Sequence, residues 1–452
     1  PAAAAAPASA ETLTDALIKA YQTSPLLDSN RASLRALDEN VPQARAARRP
    51  QVSLFGQGRA QTDVQEFPFD NVVAAGLQAS LLLFDNGRSK AAIESARYGV
   101  AAGRASLVNV EQDVLFAAIT AYMDVIQALE FVRIAENDVR VLGEQVDATN
   151  NRFEVGEVTR TDVSQTEARL AASRATLVDA RGNLEIARQA YLAAVGVLPS
   201  ALEQPPSLPQ LPATVADAEA IAVRQNPLVT AARFAERGAV YDFDRARAAS
   251  GLSVNATGIL QYQGQRSEPL FGGERSYEDG IDLEIQLGAE VPLYTGGANS
   301  SLIRQAQQVL EQRKFEVQDA GRQVIEQVSN AWTQLLVAQA SIVANREQVV
   351  AAQIAFEGVT EEARLGARST LDVLDADQER LQAEAEVVRS ERNEYVAAYA
   401  VLMAMGLLTV EHLNLGIDSY NPDVYFRQVQ RGPTGGYDTS AVDRIRARWE
   451  RQ

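Results

Sequence analysis

The stretch Phe84-Asp85-Asn86-Gly87-Arg88 has a counterpart 210 residues later, Tyr294-Thr295-Gly296-Gly297-Ala298. The same spacing relates two further pairs of segments: Phe153–Glu157 with Ala363–Ala367, and Thr161–Val163 with Leu371–Val373. It stays constant from Phe84 to Leu198, so neither copy has an insertion relative to the other. A duplication of this length indicates two copies of one structural unit, each of which needs a neighbour to cover its apolar face.

Two long helices are predicted in each copy. Taken in alternating steps of four and three, the residues from Val114 to Val146 are all apolar, and the matching series 324–356 has one polar member, Asn345. Downstream, apolar residues recur every seven positions in 163–191 and in 374–402. A sustained apolar period of about 3.5 residues is typical of helices that supercoil against their neighbours. Each copy is therefore expected to form two antiparallel helices.

Glycine is expected to separate the two helices of each copy. Gly156 and Gly366 can adopt the left-handed conformation that ends many helices, and Thr161 and Thr370 are expected to help cap the next helix. At about 1.5 Å per residue, a first helix over residues 88–150 would be roughly 95 Å long. An ordinary coiled-coil scaffold would have the same seams, so the helices alone do not identify the class of protein.

Strands are predicted ahead of each helical pair, at residues 51–60, 72–84, 252–262 and 280–293. The second copy has the clearer pattern, because apolar residues alternate with acidic, amide or glycine residues throughout 281–291. About ten alternating residues are enough for a tilted strand to cross a bilayer. A soluble two-stranded hairpin would leave such an apolar face exposed, so strands that cross a membrane are the better interpretation.

The number of strands implies an oligomer. Closed barrels need about eight strands, and open sheet edges are not tolerated in lipid. Two chains of four strands would form a barrel of about eight, which its own side chains fill, whereas three chains would supply about twelve and leave a pore. We therefore expect a homotrimer.

Composition argues against several other functions. The net charge of −17 argues against nucleic-acid binding. The chain has no cysteine and a single histidine, His412, so disulfides, thiolate metal sites and histidine-based catalysis are not expected. No enzyme activity, cofactor or metal is predicted. No run reaches the roughly 18 apolar residues of a membrane-spanning helix.

The repeats divide the chain into five parts. Residues 1–10 are an Ala- and Pro-rich leader, in which Ala8-Ser9-Ala10 has the form of a signal-peptidase site and favours export. The other parts are the first copy, residues 11–200, with a helical hairpin at 88–198; a Pro-rich linker, 201–214; the second copy, 215–408, with a hairpin at 298–408; and a C-terminal segment, 409–452.

Together these features resemble the TolC family of outer-membrane export channels. The similarity covers roughly residues 11–408 and includes the duplicated unit, the Phe84–Arg88 turn, and Ser24-Pro25 and Asn226-Pro227 near the start of the copies. Its most specific part is residues 364–376, Arg-Leu-Gly-Ala-Arg-Ser-Thr-Leu-Asp-Val-Leu-Asp-Ala.

The resemblance implies a mainly α-helical protein with membrane β-strands: a trimeric twelve-stranded β-barrel in the outer membrane of a Gram-negative bacterium, continuous with a twelve-helix α-barrel in the periplasm. A small α/β belt would include Pro205–Pro212 and residues after Val410. The passive channel would work with a periplasmic adaptor and an inner-membrane ABC transporter or proton-driven pump. Residues 415–425 resemble members that serve type I secretion. The alternatives are a multidrug efflux duct of the same family and a soluble periplasmic coiled-coil scaffold.

The resemblance also assigns a gate at the periplasmic end. A latch would join Arg368 of one hairpin to Thr161 and Asp162 of the other, because an arginine can donate to a hydroxyl and a carboxylate at once. A tyrosine that assists the latch in the family is replaced here by Ala363. The alternative is a set of exposed helix-end charges that contribute little.

A selectivity ring and two contact tips follow from the same resemblance. Asp372 and Asp375, three apart on one helix, would place six carboxylates in the mouth of a trimer and favour cations. The alternative is an acidic helix N-terminus, which the helix dipole stabilises by itself. The tips that contact the adaptor would be Gly156, Glu157, Gly366 and Ala367.

Overall fold

The structure of the chain is a computed structural model that describes residues 10–62, 68–269 and 276–431. Residues 1–9 of the expected leader and residues 432–452 of the C-terminal segment lie outside the described residues. Those two assignments therefore stay predictions.

Within the described residues, each copy consists of short helices, two strands and two long helices. The first copy contains α1 (Leu13–Thr23), α2 (Pro25–Asp38), α3 (Asn40–Ala46), β1 (Gln51–Thr62), β2 (Pro68–Phe84), α4 (Arg88–Glu154) and α5 (Arg160–Val195). The second copy contains α6 (Val215–Gln225), α7 (Pro227–Ala248), β3 (Ser253–Pro269), β4 (Ser276–Glu290), α8 (Ala298–Arg364) and α9 (Thr370–Met405). A short helix, α10 (Asp423–Arg431), follows.

The long helices agree with the duplication read from the sequence. Helices α4 and α8 each have 67 residues, and α5 and α9 each have 36. The short helices differ, because the single helix α7 of the second copy corresponds to both α2 and α3 of the first. Pro42 accounts for the break, since it lacks the N–H that would donate to the carbonyl oxygen of Asp38.

The two hairpin turns close in the same way. Gly156 (φ 84°) and Gly366 (φ 80°) adopt the left-handed conformation, as predicted. The N–H of Glu157 donates back to the carbonyl oxygen of Arg152 at 2.9 Å, and the second turn has the equivalent bond at 2.9 Å. This is the geometry by which a glycine satisfies the last carbonyls of a helix.

The prediction of the helix caps was wrong. Thr159 and Ser369 cap α5 and α9, whereas Thr161 and Thr370 lie inside the first turns. A capping box requires an acceptor side chain three residues after the cap, which returns a hydrogen bond to the cap N–H. Thr159 and Ser369 have an aspartate at that position, while Thr161 and Thr370 are followed there by serine and valine.

The four strands form one antiparallel sheet in the order β1-β2-β3-β4, so that β2 and β3 join the two copies. Each predicted strand overlaps an observed one, but the bounds differ. β1 ends at Thr62 and β3 at Pro269, later than the predicted 60 and 262. β2 begins at Pro68 and β4 at Ser276, earlier than the predicted 72 and 280, and β4 ends at Glu290 and not at residue 293. Pro292 accounts for the earlier end of β4, because proline has no N–H to donate to a neighbouring strand.

A row of leucines crosses all four strands. Leu54 pairs with Leu77, Leu77 with Leu260, and Leu260 with Leu283. Their exposed fractions are 80, 48, 46 and 70 % in the same order. The single chain thus leaves this apolar face uncovered, as expected of strands that contact lipid.

The chain divides into two compact units. The first consists of Pro1–Ala32, Arg104–Ala232 and Glu316–Tyr420, and the second of Ser33–Gly103, Arg233–Phe315 and Asn421–Gln452. The core of the first unit contains the predicted seams, because Ala118, Val125, Val324 and Val328 are at most 1 % exposed. Asn345, the polar seam member, donates to the hydroxyl of Ser390 in α9 at 2.6 Å.

Helix α4 also contains an 18-residue window apolar enough, by composition, to cross a membrane. Half of that window is buried in the structure, and the helix contributes Leu115, Ile119 and Tyr122 to the core of the first unit. The window is therefore explained as part of a core helix.

A buried carboxylate ties the first copy to the linker. One oxygen of Glu11 accepts hydrogen bonds from Lys19 Nζ at 2.8 Å and the Tyr191 hydroxyl at 2.9 Å, and the other accepts from the Ser200 hydroxyl at 3.2 Å. Burial opposes ionisation, but these hydrogen bonds outweigh it and lower the pKa of Glu11. Glu11 also forms a parallel β-bridge with Leu202.

Candidate functional site

The predicted contact tips lie in the exposed turns that end the two hairpins. They are Gly156, Glu157, Gly366 and Ala367. Each turn also exposes an apolar side chain directly before its glycine: Val155 is 70 % exposed and Leu365 is 85 % exposed. These two side chains were not predicted. Their position before a turn-forming glycine was the available signal, because such a side chain has no helix neighbour to cover it.

Arg368 forms an ion pair inside its own hairpin turn. Its Nε lies 2.8 Å from Oε2 of Glu362, and both side chains are about half exposed. The hydrogen bond from Arg368 to Glu362 raises the pKa of the arginine. Thr161 and Asp162 belong to the other hairpin, where Asp162 accepts hydrogen bonds from Thr159. In the described part of the single chain, the structure does not bring Arg368 to its predicted latch partners.

Asp372 is engaged at the N-terminus of α9. Its carboxylate accepts hydrogen bonds from the backbone N–H of Ser369 at 2.9 Å and from the hydroxyl of Ser369 at 2.8 Å. These bonds lower the pKa of Asp372. Asp372 therefore completes the capping box in which Ser369 is the N-cap, in line with the alternative interpretation of an acidic helix N-terminus, and it remains charged at neutral pH.

Asp375 makes one of the contacts that link the two hairpins of the chain; Arg392 of α9 and Asp124 of α4, 2.8 Å apart, form another. Its Oδ1 lies 2.6 Å from Nη2 of Arg169, which belongs to α5, and Nη1 of the same arginine donates to the side chain of Gln378. Arg169 was missed by the sequence interpretation. The sequence feature that could have identified Arg169 is a difference between the two copies, because its counterpart 210 positions later is Glu379, of opposite charge.

A buried ionic cluster follows on α9. The guanidinium of Arg380 donates to Asp377 and to Glu384, each at 2.6 Å, and the side chains of Arg380 and Asp377 are only 9 and 6 % exposed. Phe356 of α8 lies against the guanidinium, with 5.4 Å between Cζ and the ring centre. A buried charge is tolerated only when it is paired and hydrogen-bonded, so the two carboxylates of α9 allow Arg380 to be buried against Phe356 of α8.

A cavity of about 410 Å³ lies between α4, α5 and α9 beside this cluster. Its lining includes Arg169, Asp377 and Asp138. Asp138 accepts a hydrogen bond from Ser173, and burial raises the pKa of the Asp138 carboxyl. The space between the hairpins therefore combines mostly apolar walls with a few charged groups, and it is large enough for water.

Two carboxylates close to the hairpin turns each have a partner within the chain. Asp372 and Asp375 lie on one helix close to its start, and their charges are held by Ser369 and Arg169. In residues 10–62, 68–269 and 276–431, no group of three or more His, Cys, Asp or Glu side chains is placed to hold a metal ion.

Comparison with known proteins agrees with this geometry. The model of the family described as "Outer membrane efflux protein" matches residues 16–197 and 220–407. The chain is 36 % identical over 421 residues to the outer membrane efflux protein BepC of Brucella suis, covering 93 % of this chain and 91 % of BepC. It is 24 % identical over 424 residues to the outer membrane protein TolC of Escherichia coli, covering 89 % of this chain and 84 % of TolC.

The fold is that of solved channel structures. The structure of CusC, described in terms of transmembrane channel formation, superposes with a TM-score of 0.75 at 18 % identity and covers 88 % of this chain and 92 % of CusC. The matches to the family model coincide with the two copies read from the sequence, and each includes a strand pair and a helical hairpin.

Proposed function

Because the chain belongs to the outer membrane efflux protein family, we propose that three copies assemble into an exit duct that carries cargo across the outer membrane when a periplasmic adaptor and an inner-membrane transporter recruit it. The protein is an outer-membrane efflux channel of the TolC family, and members of this family are channels rather than enzymes. The trimer is inferred from the open four-stranded sheet. One chain leaves its edges and its leucine row uncovered, and about twelve strands are needed for a closed barrel with a pore.

The cargo we propose is a secreted protein delivered by a type I secretion system. The support is the segment 415–425, which resembles members of that class. The structure anchors this segment to the first copy, because the N–H of Tyr420 donates to the Tyr21 hydroxyl at 2.9 Å and Arg31 lies against both tyrosine rings. Export of small toxic compounds is the second candidate, and the similarity to a protein named as an efflux protein favours it.

Two measurements test this function. The purified protein is expected to run as a trimer by native mass spectrometry and to form conducting pores in planar bilayers; a monomer without conductance would contradict the duct. Deletion of its gene is then expected to remove specific proteins from the culture supernatant. If the deletion strain secretes the same proteins but becomes more sensitive to toxic compounds, the proposed cargo would be small toxic compounds and not secreted proteins.

We further propose that the tips, the ring and the latch act at the periplasmic mouth of the duct. Asp372 and Asp375 would form the selectivity ring, and Arg368 would latch onto Thr161 and Asp162 of a neighbouring chain. Two features support the latch: Arg368 is half exposed, and Thr161 is exposed in the first turn of α5. In the single chain Glu362 holds Arg368, so this acceptor competes with the latch.

Substitution Arg368→Ser tests the latch. The mean single-channel conductance is expected to rise severalfold, because each of three latches in a trimer loses its donor and the closed state loses all three together. Arg364→Ser is the matched control, since Arg364 lies in the same turn, is 73 % exposed and pairs locally with Glu361 at 2.9 Å. Equal conductance of the two variants and the unchanged protein would rule out the latch.

A further inference from the structure

Basic side chains are concentrated at one end of the β-sheet. The starts of β1 and β3 and the ends of β2 and β4 meet at this end, because Gln51 pairs with Ser80, Phe84 with Val254, and Ser253 with Glu290. Residues 45–50, 84–90 and 245–252 connect the sheet to helices here, and they contain seven arginines and lysines but one acid, Asp85. The whole chain, in contrast, carries a net charge of −17.

Five of these cations are exposed and form what we call the basic collar. Its members are Arg48, Arg49, Arg88, Lys90 and Arg247. A sixth, Arg245, is also exposed but pairs with Asp242 at 3.1 Å. All of these residues lie in the second compact unit.

The turn between β2 and α4 brings part of the collar together. Asn86, Gly87 and Lys90 line a cavity of about 410 Å³ with Arg247 and Asp244 near the end of α7. Gly251 permits this approach, since a Cβ at that position would lie 2.1 Å from Nδ2 of Asn86. Lys90 and Arg247 therefore face one cleft although 157 residues separate them in the chain.

Asp85, the only acid of these three segments, accepts hydrogen bonds from the backbone of its own turn. Asp85 accepts hydrogen bonds from the N–H of Gly87 at 3.1 Å and the N–H of Ser89 at 2.6 Å. Arg48 acts on Asp85 electrostatically, which places the first collar residue near the same turn. Asp85 thus organises the turn. Together with Asp244 in the cleft and Glu290 at the end of β4, it gives three carboxylates against the five collar cations.

Exposed aromatic and apolar side chains adjoin the collar. Phe84 is 49 % exposed, and Leu293 and Tyr294, which follow β4, are 93 and 89 % exposed. Aromatic residues at the ends of membrane strands mark the level of the lipid headgroups. Basic residues at that level attract anionic lipids, and arginine matches the geometry of phosphate oxygens.

We propose that the basic collar is a binding site for the phosphate groups of anionic phospholipids in the periplasmic leaflet of the outer membrane. The cleft between the β2–α4 turn and the end of α7 would hold a headgroup between Lys90 and Arg247, with Arg48 beside it. The acyl chains would lie along Phe84 and the exposed leucines of the sheet. This proposal depends on the membrane location of the strands and not on the cargo or the gate.

Lipid binding by a collar variant tests the proposal. The purified protein in neutral detergent is titrated with phosphatidylglycerol, phosphatidylcholine or inorganic phosphate, and bound lipid is counted by native mass spectrometry. Phosphatidylglycerol is expected to bind about tenfold more tightly than phosphatidylcholine, since each basic side chain near the headgroups adds electrostatic attraction to an anionic lipid. The triple variant Arg48→Gln, Lys90→Gln, Arg247→Gln is expected to lose this preference.

The matched control has the same change in charge on the long helices. Arg140→Gln, Arg181→Gln and Arg346→Gln replace arginines that are 60 to 63 % exposed, and the combined variant is expected to keep the preference. Equal loss in the control, no preference in the unchanged protein, or competition by inorganic phosphate at equal concentration would overturn the lipid site. Pore conductance of the collar variant separates the two proposals, because it should be unchanged if the duct assignment is right.

Discussion

Replacement of Asp372 and Asp375 together by asparagine is expected to abolish cation selectivity in planar bilayers. In a trimer the two positions would place two rings of three carboxylates in the mouth, and charge of one sign in a narrow passage raises the local counter-ion concentration by about tenfold or more. The reversal potential in a KCl gradient should therefore move to nearly zero, and block by a trivalent cation should disappear. Asparagine at position 372 keeps an oxygen that can accept from Ser369, so the cap of α9 is preserved.

A control variant separates the ring from a general effect of charge. Asp147→Asn combined with Asp319→Asn makes the same change in net charge on exposed positions of α4 and α8. That variant should keep the selectivity and the trivalent block. If the ring variant behaves like the control, the two aspartates serve only as helix-start residues and the selectivity lies elsewhere.

The ion pair between Arg169 and Asp375 refines this expectation. The 2.6 Å contact neutralises one of the two carboxylates in each chain. Asp372→Asn alone should therefore reduce selectivity more than Asp375→Asn alone, and Arg169→Gln should increase it. Reversal potentials of the three single variants in one salt gradient give the order directly.

Periodicity predicted the fold well because burial repeats along the chain. The 3.5-residue seams of α4 and α8 reflect which side chains face a core, whereas the alternation in β4 puts its apolar side chains on one uncovered face of the sheet. A single sequence carries both kinds of information. The hairpin glycines were also predictable, since the need for a left-handed residue at a helix end is local in the sequence. The caps were predicted wrongly. The local signal is an aspartate three residues after Thr159 and after Ser369, and it distinguishes these caps from the threonines inside the helices.

The contacts between hairpins were not predictable in the same way. Arg169 and Asp375 lie 206 residues apart, and their pairing depends on the rotation of α5 and α9 about their own axes. The same applies to the cluster around Arg380, whose burial depends on how α8 covers α9. Only the difference in charge between the copies at position 169 pointed to a special role. The latch and the ring, which require neighbouring chains, stay predictions for the same physical reason.

Loss of the Glu11 carboxylate is expected to have the largest effect on stability. Its side chain is 3 % exposed and accepts hydrogen bonds from Lys19, Tyr191 and Ser200, so Glu11→Ala leaves a buried tyrosine hydroxyl without its acceptor. Hydrogen bonds to charged groups contribute about 1.5–3 kcal/mol each, and we expect the free energy of unfolding to fall by roughly 3 kcal/mol. The thermal midpoint of the helical circular dichroism signal in detergent measures the change. Glu154→Ala, an exposed acid at the end of α4, is the control and should leave the midpoint unchanged.

The pH dependence of this effect follows from the direction of the pKa shift. The folded state lowers the pKa of Glu11 below its ordinary value of 4.5, so ionised Glu11 stabilises the fold above pH 4.5 and this contribution is lost as the pH falls through the lowered pKa. The difference in midpoint between the unchanged protein and Glu11→Gln should therefore be full at pH 7, begin to narrow below about pH 4.5, and vanish once Glu11 is protonated in both states. A difference that stays constant down to pH 3 would mean that Glu11 acts through its shape and its neutral hydrogen bonds. A difference that grows on acidification would reverse the sign of the shift and contradict the ion pair with Lys19.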